Sequence, residues 1–425
     1  MRLWGRKARM SGIGAVLAVM SASQPVWAET SLAEAVLRGL ARHPEVRLAE
    51  AEAAVAATEA EMARNAYLPS LGASAGPAAA GLGYDLTLSQ TVYDFGVAGS
   101  QVEKARSLYA RQQANLQIVR DDVALEIVEV YLDIASRRAQ LSLLDDHFQR
   151  LSTLSEMAQA RVAGRYSDQA ETGRVALALA TAEGTRARLR GELADAVDHY
   201  ALLVNAPAEG LLLPTPPTFL DAMREEGALE AAIATAPLFQ RAALAVQAAE
   251  AGVKEARAAR FPRLALEGSL QRREIGGRMV DDSAISLRVR FNPQPGLASL
   301  QRPKLEEQRR AAAAMGVEVV GQDLKRMVES LAAQDAALGA RIGALSDQAT
   351  QAEAVRATYQ EQFLVGRRDI QDLVIMQNEY FEAERQVVEL TVERLRSQYR
   401  AAAQLGLLTP AMAGDEMQAP VEILP

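Results

Sequence analysis

The sequence predicts a mainly α-helical protein with a small β portion, built from two long helical hairpins that repeat one plan. Three observations predict it. Apolar residues make up 49% of the chain but aromatics only 5%, so the apolar share is carried by Ala, Leu and Val, the residues of long, closely packed helices. Two very long segments, Ala78 to Ala206 and Lys304 to Thr409, contain no proline. Finally, a proline-bracketed helical run occurs twice at one spacing, Pro44 to Pro69 and Pro237 to Pro262, 25 residues each.

Taken in order, Arg2, Arg6, Lys7 and Arg9 form a basic start, Gly12 to Met20 is a short apolar run, and Val26-Trp27-Ala28 suits a cleavage site. Residues 1–28 therefore read as a secretory signal, with a retained amphipathic anchor as the alternative. Its removal takes away four basic residues and moves the formal net charge from −8 to −12. An acidic exported protein is a poor partner for nucleic acid. The first repeat, 29–226, and the second, 227–408, then follow. The bracketed runs end in Ala63-Arg64-Asn65-Ala66-Tyr67-Leu68-Pro69 and Ala256-Arg257-Ala258-Ala259-Arg260-Phe261-Pro262.

After each bracket the period changes from helical to two. Tyr84, Leu86, Leu88 and Val92 alternate with Asp85, Thr87, Ser89 and Thr91, and Leu264, Leu266 and Leu270 with Ala265, Glu267 and Gln271. Ile285, Leu287, Val289 and Phe291 alternate with Ser286, Arg288 and Arg290, while Leu71, Ala73 and Ala75 give a weaker strand. Strands are expected at about 70–77, 84–93, 263–273 and 283–292. Gly81 and Gly83 mark one hairpin loop, and Gly276, Gly277, Asp281 and Asp282 the other. Such strands suit either a tilted outer-membrane barrel, apolar side to lipid, or a half-buried sheet in a soluble domain. Four strands cannot close a barrel alone, so the first alternative demands oligomerisation.

The long segments carry a 4-3 apolar seam. Leu116, Val123, Val130, Leu144 and Leu151 interleave with Ile127, Ile134, Leu141 and Phe148, with Arg137 as a charged break. In the second half Leu324, Val328, Leu331, Leu338, Ile342, Leu345, Ala349, Ala352, Tyr359 and Phe363 follow the same pattern, broken by Asp335 and Arg356. A helix over Gly99 to Arg161 would run on the order of 95 Å. Each turns back at a glycine, Gly164 and Gly366, expected to supply a left-handed turn; the tips are 164–167 and 366–369. Residues 409–425, with Pro410, Pro420 and Pro425, form a tail.

Chemistry has little to stand on. The chain has no cysteine, and His43, His147 and His199 show no metal-ligand spacing, so no cofactor or metal is expected. Gly72-Ala73-Ser74-Ala75-Gly76 matches the G-x-S-x-G of a hydrolase elbow, which requires a strand, a sharp turn and a helix. Here Pro77, glycines and another strand follow, so small residues in a tight strand explain the motif better. No phosphate-binding glycine loop is present.

The duplicated layout, the strand exit Gln90-Thr91-Val92-Tyr93-Asp94-Phe95-Gly96 and the tip Val365-Gly366-Arg367-Arg368-Asp369-Ile370-Gln371-Asp372 resemble the TolC family of outer-membrane export channels. The resemblance implies a homotrimer with twelve strands in one outer-membrane barrel and twelve helices in a periplasmic tunnel closed at its tips. It places a gate at Arg368 and Asp372, with Phe363 beside them. Ile375 stands where the best-known member has a second acidic residue. Counted from Gly164, the first tip offers Ala170 at the position of Asp372, with Asp168 and Glu171 nearby, and leaves its latch open. From periodicity alone Arg368 and Asp372 read first as an ordinary solvated i,i+4 pair. Gly164, Arg165, Gly366 and Arg367 are the expected docking points for a periplasmic adaptor. An inner-membrane ABC transporter or a proton-driven pump would supply the energy, and outer-membrane lipid would surround the strands. The expected function is a passive outer-membrane conduit, preferably for type I protein secretion because no lipid-anchor cysteine follows the leader. The alternatives are drug or small-molecule efflux, a periplasmic coiled-coil adaptor or scaffold and, more distantly, a secreted enzyme.

Overall fold

The computed structural model describes residues 31–78, 81–211, 213–214, 217–291 and 298–414. The leader expected at 1–28 and the tail beyond 414 lie outside the described residues. A short helix, α1 (Leu32–Leu40), leads into α2 (Pro44–Arg64), whose start is fixed by Pro44 in its first turn and by His43, the side chain of which accepts a hydrogen bond from the Glu45 N–H at 3.3 Å. Strands β1 (Ser70–Ala78) and β2 (Gly81–Tyr93) precede α3 (Val97–Ala163), and α4 (Gln169–Val204) runs back along it. After α5 (Phe219–Ala222) and α6 (Ala228–Thr235) the plan repeats as α7 (Pro237–Ala258), β3 (Arg263–Ile275), β4 (Arg278–Arg290), α8 (Ala298–Leu364) and α9 (Ile370–Gln404), before α10 (Leu408–Ala413).

Helices α3 and α8 are both 67 residues long, about 100 Å at the usual rise. The N-terminal part of α3 lies against α2 and α7, through Arg120–Glu50 at 2.9 Å and Lys254–Glu103 at 2.7 Å; its C-terminal part lies against α4, through Arg186–Asp145 at 3.0 Å. Helix α8 starts earlier than the proline-free segment suggested, because Pro303 sits in its second turn, where few intrahelical N–H bonds have yet formed.

Three apolar cores follow the seam. Val36, Ile127, Leu132, Tyr200, Leu395 and Leu408 form one at the waist; Leu144, Leu151, Val175, Phe363, Ile370 and Leu373 form one near the tips; Leu220, Ile233, Leu324 and Leu405 form the third. Along the middle of α8, Leu338, Ile342 and Leu345 are only half-buried, because α9 covers one side of that helix. The charged breaks are all partnered: Arg137 with Glu192 at 3.0 Å, Arg356 with Glu353 at 2.7 Å, and buried Asp335 with Arg394 at 3.1 Å. The first tail residues are held at the waist, where the Thr409 N–H donates to buried Asp121 at 2.8 Å and burial pushes that carboxyl upward.

The four strands form one antiparallel sheet in the order β1-β2-β3-β4, so the β2–β3 pairing joins the two repeats. β2, β3 and β4 extend to 13 residues each, longer than their alternation suggested. Gly276 and Gly277 alone make the second turn, both with positive φ, 60° and 78°. Asp281 and Asp282 belong to β4 and Gly81 and Gly83 to β2, so these four are ladder residues instead of loop residues. The G-x-S-x-G segment lies wholly within β1, which hairpins into β2, and no elbow forms.

Candidate functional site

Register sorts the sheet into two faces. On one, Leu71, Leu88, Leu86, Leu270, Leu266, Leu287, Ile285 and Val289 meet across neighbouring strands, and all are exposed. On the other lie Ser70, Ser89, Thr87, Asp85, Glu267, Gln271 and Arg288. This polar face is the more enclosed: Glu267 is 3% exposed whereas Ile285 on the apolar face is 83% exposed. Water normally selects the opposite arrangement.

Aromatic rings border the apolar band where the strands join the helices. Tyr93 meets Phe95 edge-on at 4.8 Å, Phe95 stacks on Phe261 at 4.7 Å, and Tyr67 and Phe291 stand exposed nearby in sequence. Phe95 adopts a left-handed φ of 58°, and the Asp94 carboxylate accepts hydrogen bonds from the N–H groups of Gly96 at 3.0 Å and Ala98 at 2.7 Å, starting α3. At the other edge Tyr84 pairs across strands with Arg272, which forms an ion pair with Asp281 at 3.5 Å. From Leu264 to Leu270 the band covers roughly 20 Å along the strand at ~3.3 Å per residue. The sequence reading placed Tyr84 and Phe291 in the strand alternation but did not read a girdle, because Tyr67 and Phe261 lie beyond the strand ends.

The other site is the pair of tips. Tyr166 N–H donates to the Arg161 carbonyl and Arg367 N–H to the Gln362 carbonyl, each at 2.9 Å, and Asp168 and Asp369 cap the returning helices. In this common geometry the left-handed residue is Arg165 (φ 58°) in the first tip and Gly366 (φ 77°) in the second. Gly164 has an ordinary φ of −74°, correcting the expectation that it supplies the left-handed turn. It serves close approach instead, since a Cβ there would lie 2.7 Å from the Tyr166 ring. Aligned on their caps, the tips place Glu171, not Ala170, opposite Asp372. Counting from the glycines had misplaced the register by one.

Arg368, in the tip turn just before α9, forms an ion pair with Asp372 in the first turn of that helix at 3.3 Å, donates to Gln362 Oε1 at 3.0 Å, and lies over the Tyr359 ring at 4.0 Å. Phe363 is buried in the core near the tips. Over its ring, at 4.6 Å, sits Arg161, which also donates to the Arg368 carbonyl at 3.3 Å and faces buried Glu171 at 3.8 Å. Arg174 and Asp369 add a second link between tips at 4.0 Å. The sequence reading missed Arg161 and Arg174 and named Glu171 only as a neighbour of the latch position; aligning the tips on Asp168 and Asp369 would have singled it out. Gly164, Arg165, Gly366 and Arg367 are all exposed, and among the described residues neither Arg165 nor Arg367 has an ion-pair partner. Tyr166, Leu364 and Val365 are 80%, 71% and 69% exposed around a groove that Met157 and Ala160 also line.

No protein-family model matches the chain, and no curated protein matches it. Solved structures do. CusC matches with a TM-score of 0.77 at 15% identity over 89% of this chain and 92% of that one. The Neisseria gonorrhoeae MtrE outer-membrane channel in its open state matches at 0.74 and 20% identity, over 89% and 90% of the two chains. The Campylobacter jejuni CmeC outer-membrane channel matches at 0.72 and 12% identity, over 98% of both. The chain has the fold of the TolC-family channels. That fold accounts for the duplication, for equal long arms and for a sheet shared between the repeats. Among the described residues no single helix is long and apolar enough to cross a membrane.

Proposed function

We propose that the chain is the protomer of a trimeric outer-membrane channel, the passive last stage of a tripartite export system. The observation that carries this reading is the sheet. It presents its apolar face outward, it keeps a buried carboxylate on the enclosed face, and among the described residues its edge strands β1 and β4 each have only one neighbour. An open sheet of this kind is unstable in lipid, where every backbone group needs a partner, and three copies joined edge to edge give twelve strands with no edge. The helices support the same assembly. Leu48, Val55 and Met62 form an exposed stripe at seven-residue spacing on α2, and Met315, Val319 and Met327 are exposed on α8.

On this reading the helices enclose a periplasmic tunnel, the leader directs export, and the tips form the inner mouth. Phe363, Arg368 and Asp372 compose the gate, with Phe363 as its packed footing and the charged pair at the constriction. Gly164, Arg165, Gly366 and Arg367, with the apolar groove beside them, receive the adaptor. We assign the pathway to type I protein secretion with an ABC transporter; efflux of small molecules by a proton-driven pump is the competing assignment. Cross-linking from Arg165→Cys and Arg367→Cys in whole cells, followed by identification of the inner-membrane partner, separates them.

The channel reading is tested by native mass spectrometry in detergent with planar-bilayer conductance on the same sample. A detergent-requiring trimer is expected, with conductance raised several-fold by Asp372→Ala, because the variant loses the Arg368 pair that holds the tip. A water-soluble species without conductance would sink the reading and favour a periplasmic scaffold.

A further inference from the structure

The enclosed face of the sheet is unevenly charged. At its helix-proximal end Arg263 pairs directly across strands with Arg290, and Arg288 lies opposite Ala265. All three side chains share that face with one acid, Glu267, which forms ion pairs with Arg288 at 2.9 Å and with Arg290. The rest of this level is neutral: Ser89 faces Glu267 on β2, Thr91 faces Ala265, and Ser70 faces Ser89 on β1. The next acid on β2 along this face is Asp85, four residues further out. There the balance differs, since Arg273 pairs with Asp282 at 3.6 Å.

Arginines placed directly opposite repel and destabilise a sheet unless charge compensates them. One carboxylate among three guanidiniums neutralises only part of that charge. Arg288 and Arg290 remain 61% and 53% exposed at the side chain although their shared acid is buried, so their charge is presented to the enclosed space. Low-dielectric walls focus such a field, and a ring of arginine side chains is a known means of favouring anions.

We propose that Arg263, Arg288 and Arg290, held around Glu267, form an anion-selective collar where the helical tunnel enters the barrel. This rests on the channel reading, which turns the enclosed face into the lumen. Repeated three times around the axis, the collar sets nine arginines against three acids at the helix-proximal end of the barrel, whereas at the tips Arg368 and Asp372 offset one another. Its ligand class is the anionic solute bearing carboxylate, phosphate or sulfate, which interacts with guanidiniums by paired hydrogen bonds. Cationic solutes are disfavoured at this level.

The test uses the full mature protein in planar bilayers, in an Asp372→Ala background so that the tips do not dominate resistance. Reversal potential is measured in a potassium chloride gradient, and block is measured with inorganic tripolyphosphate added on the barrel side. The expected result is preference for chloride and block by tripolyphosphate. In Arg263→Ser/Arg288→Ser/Arg290→Ser with Glu267→Gln, added so that no buried acid is left unpaired, the chloride-to-potassium permeability ratio should fall at least threefold and block should weaken at least tenfold. Arg→Lys at the three positions with Glu267 retained should keep the chloride preference and lose part of the tripolyphosphate block. Trimer formation by each variant is confirmed by native mass spectrometry, and the lysine variant decides the matter if the serine variant does not assemble. A conducting trimer whose reversal potential is the same in wild type and serine variant overturns the collar while leaving the channel. A lysine variant with cation preference overturns it as well. A trimer that does not conduct overturns the channel reading and the collar with it.

Discussion

Arg161 shows how much one side chain can join. From the last turn of α3 its guanidinium reaches a core aromatic of the second hairpin, a backbone carbonyl of the second tip and a buried acid of α4. Glu171 retains one buried oxygen without a hydrogen-bond partner, so Arg161 is its principal compensation. Arg161→Met keeps the aliphatic stem over Phe363 and removes the charge. Closed-state conductance should rise at least as much as with Arg368→Ser, since the link between hairpins is lost and Glu171 is left buried beside an apolar chain. Adding Glu171→Gln should recover stability without restoring closure. Unchanged conductance in Arg161→Met would show that contacts within the chain do not hold the tips together. Nothing in the local sequence marks Arg161, because its three partners lie 10 to 207 residues away and are united only by the turn geometry.

The long arms were legible from the sequence because a 4-3 seam and the absence of proline are local properties, and α3 extends only two residues beyond Gly99 and Arg161 at each end. The strands were legible as alternation, but their lengths were not, since pairing across the sheet carried Gly81, Gly83, Asp281 and Asp282 into the ladder. The tip register was lost for a related reason: Arg165 takes the left-handed conformation usually given to glycine. A charge inside the seam looked like an interruption and proves to be a joint. Asp335 accepts from Arg394 at 3.1 Å and from Gln398 Nε2 at 2.8 Å, and Gln398 Oε1 accepts from the Leu220 N–H at 2.8 Å, tying α5 to the second hairpin. Asp335→Ala leaves a cation and an amide without their buried partner, and should cost about 3–5 kcal/mol. Replacing Asp335 and Arg394 together by Leu and Met should cost much less. Chemical denaturation in detergent measures both, and equal losses would argue against an uncompensated charge as the cause.

Helices α3 and α9 pack directly against each other, so the chemistry of that seam bears on how the two hairpins are held together. Its centre is His147 on α3, in hydrogen-bond contact with Gln377 of α9 at 3.2 Å and stacked on Phe381 at 4.3 Å. Burial, reinforced by the nearby Arg150 charge, lowers the His147 pKa to about 4. The native seam therefore holds a neutral ring down to that pH, whereas the unfolded chain takes up a proton near the ordinary value of 6.5. Stability is complete above about pH 6.5 and falls as pH drops toward 4, where the loss levels off at on the order of 3 kcal/mol per chain. Thermal melting of the detergent-solubilised protein from pH 7.5 to 4 should show this decline. His147→Phe, which keeps an aromatic ring against Phe381 without a titrating nitrogen, should flatten the part of the slope between pH 6.5 and 5, above the range where ordinary carboxylates dominate. If both proteins decline in parallel there, the pH response arises elsewhere than in the seam.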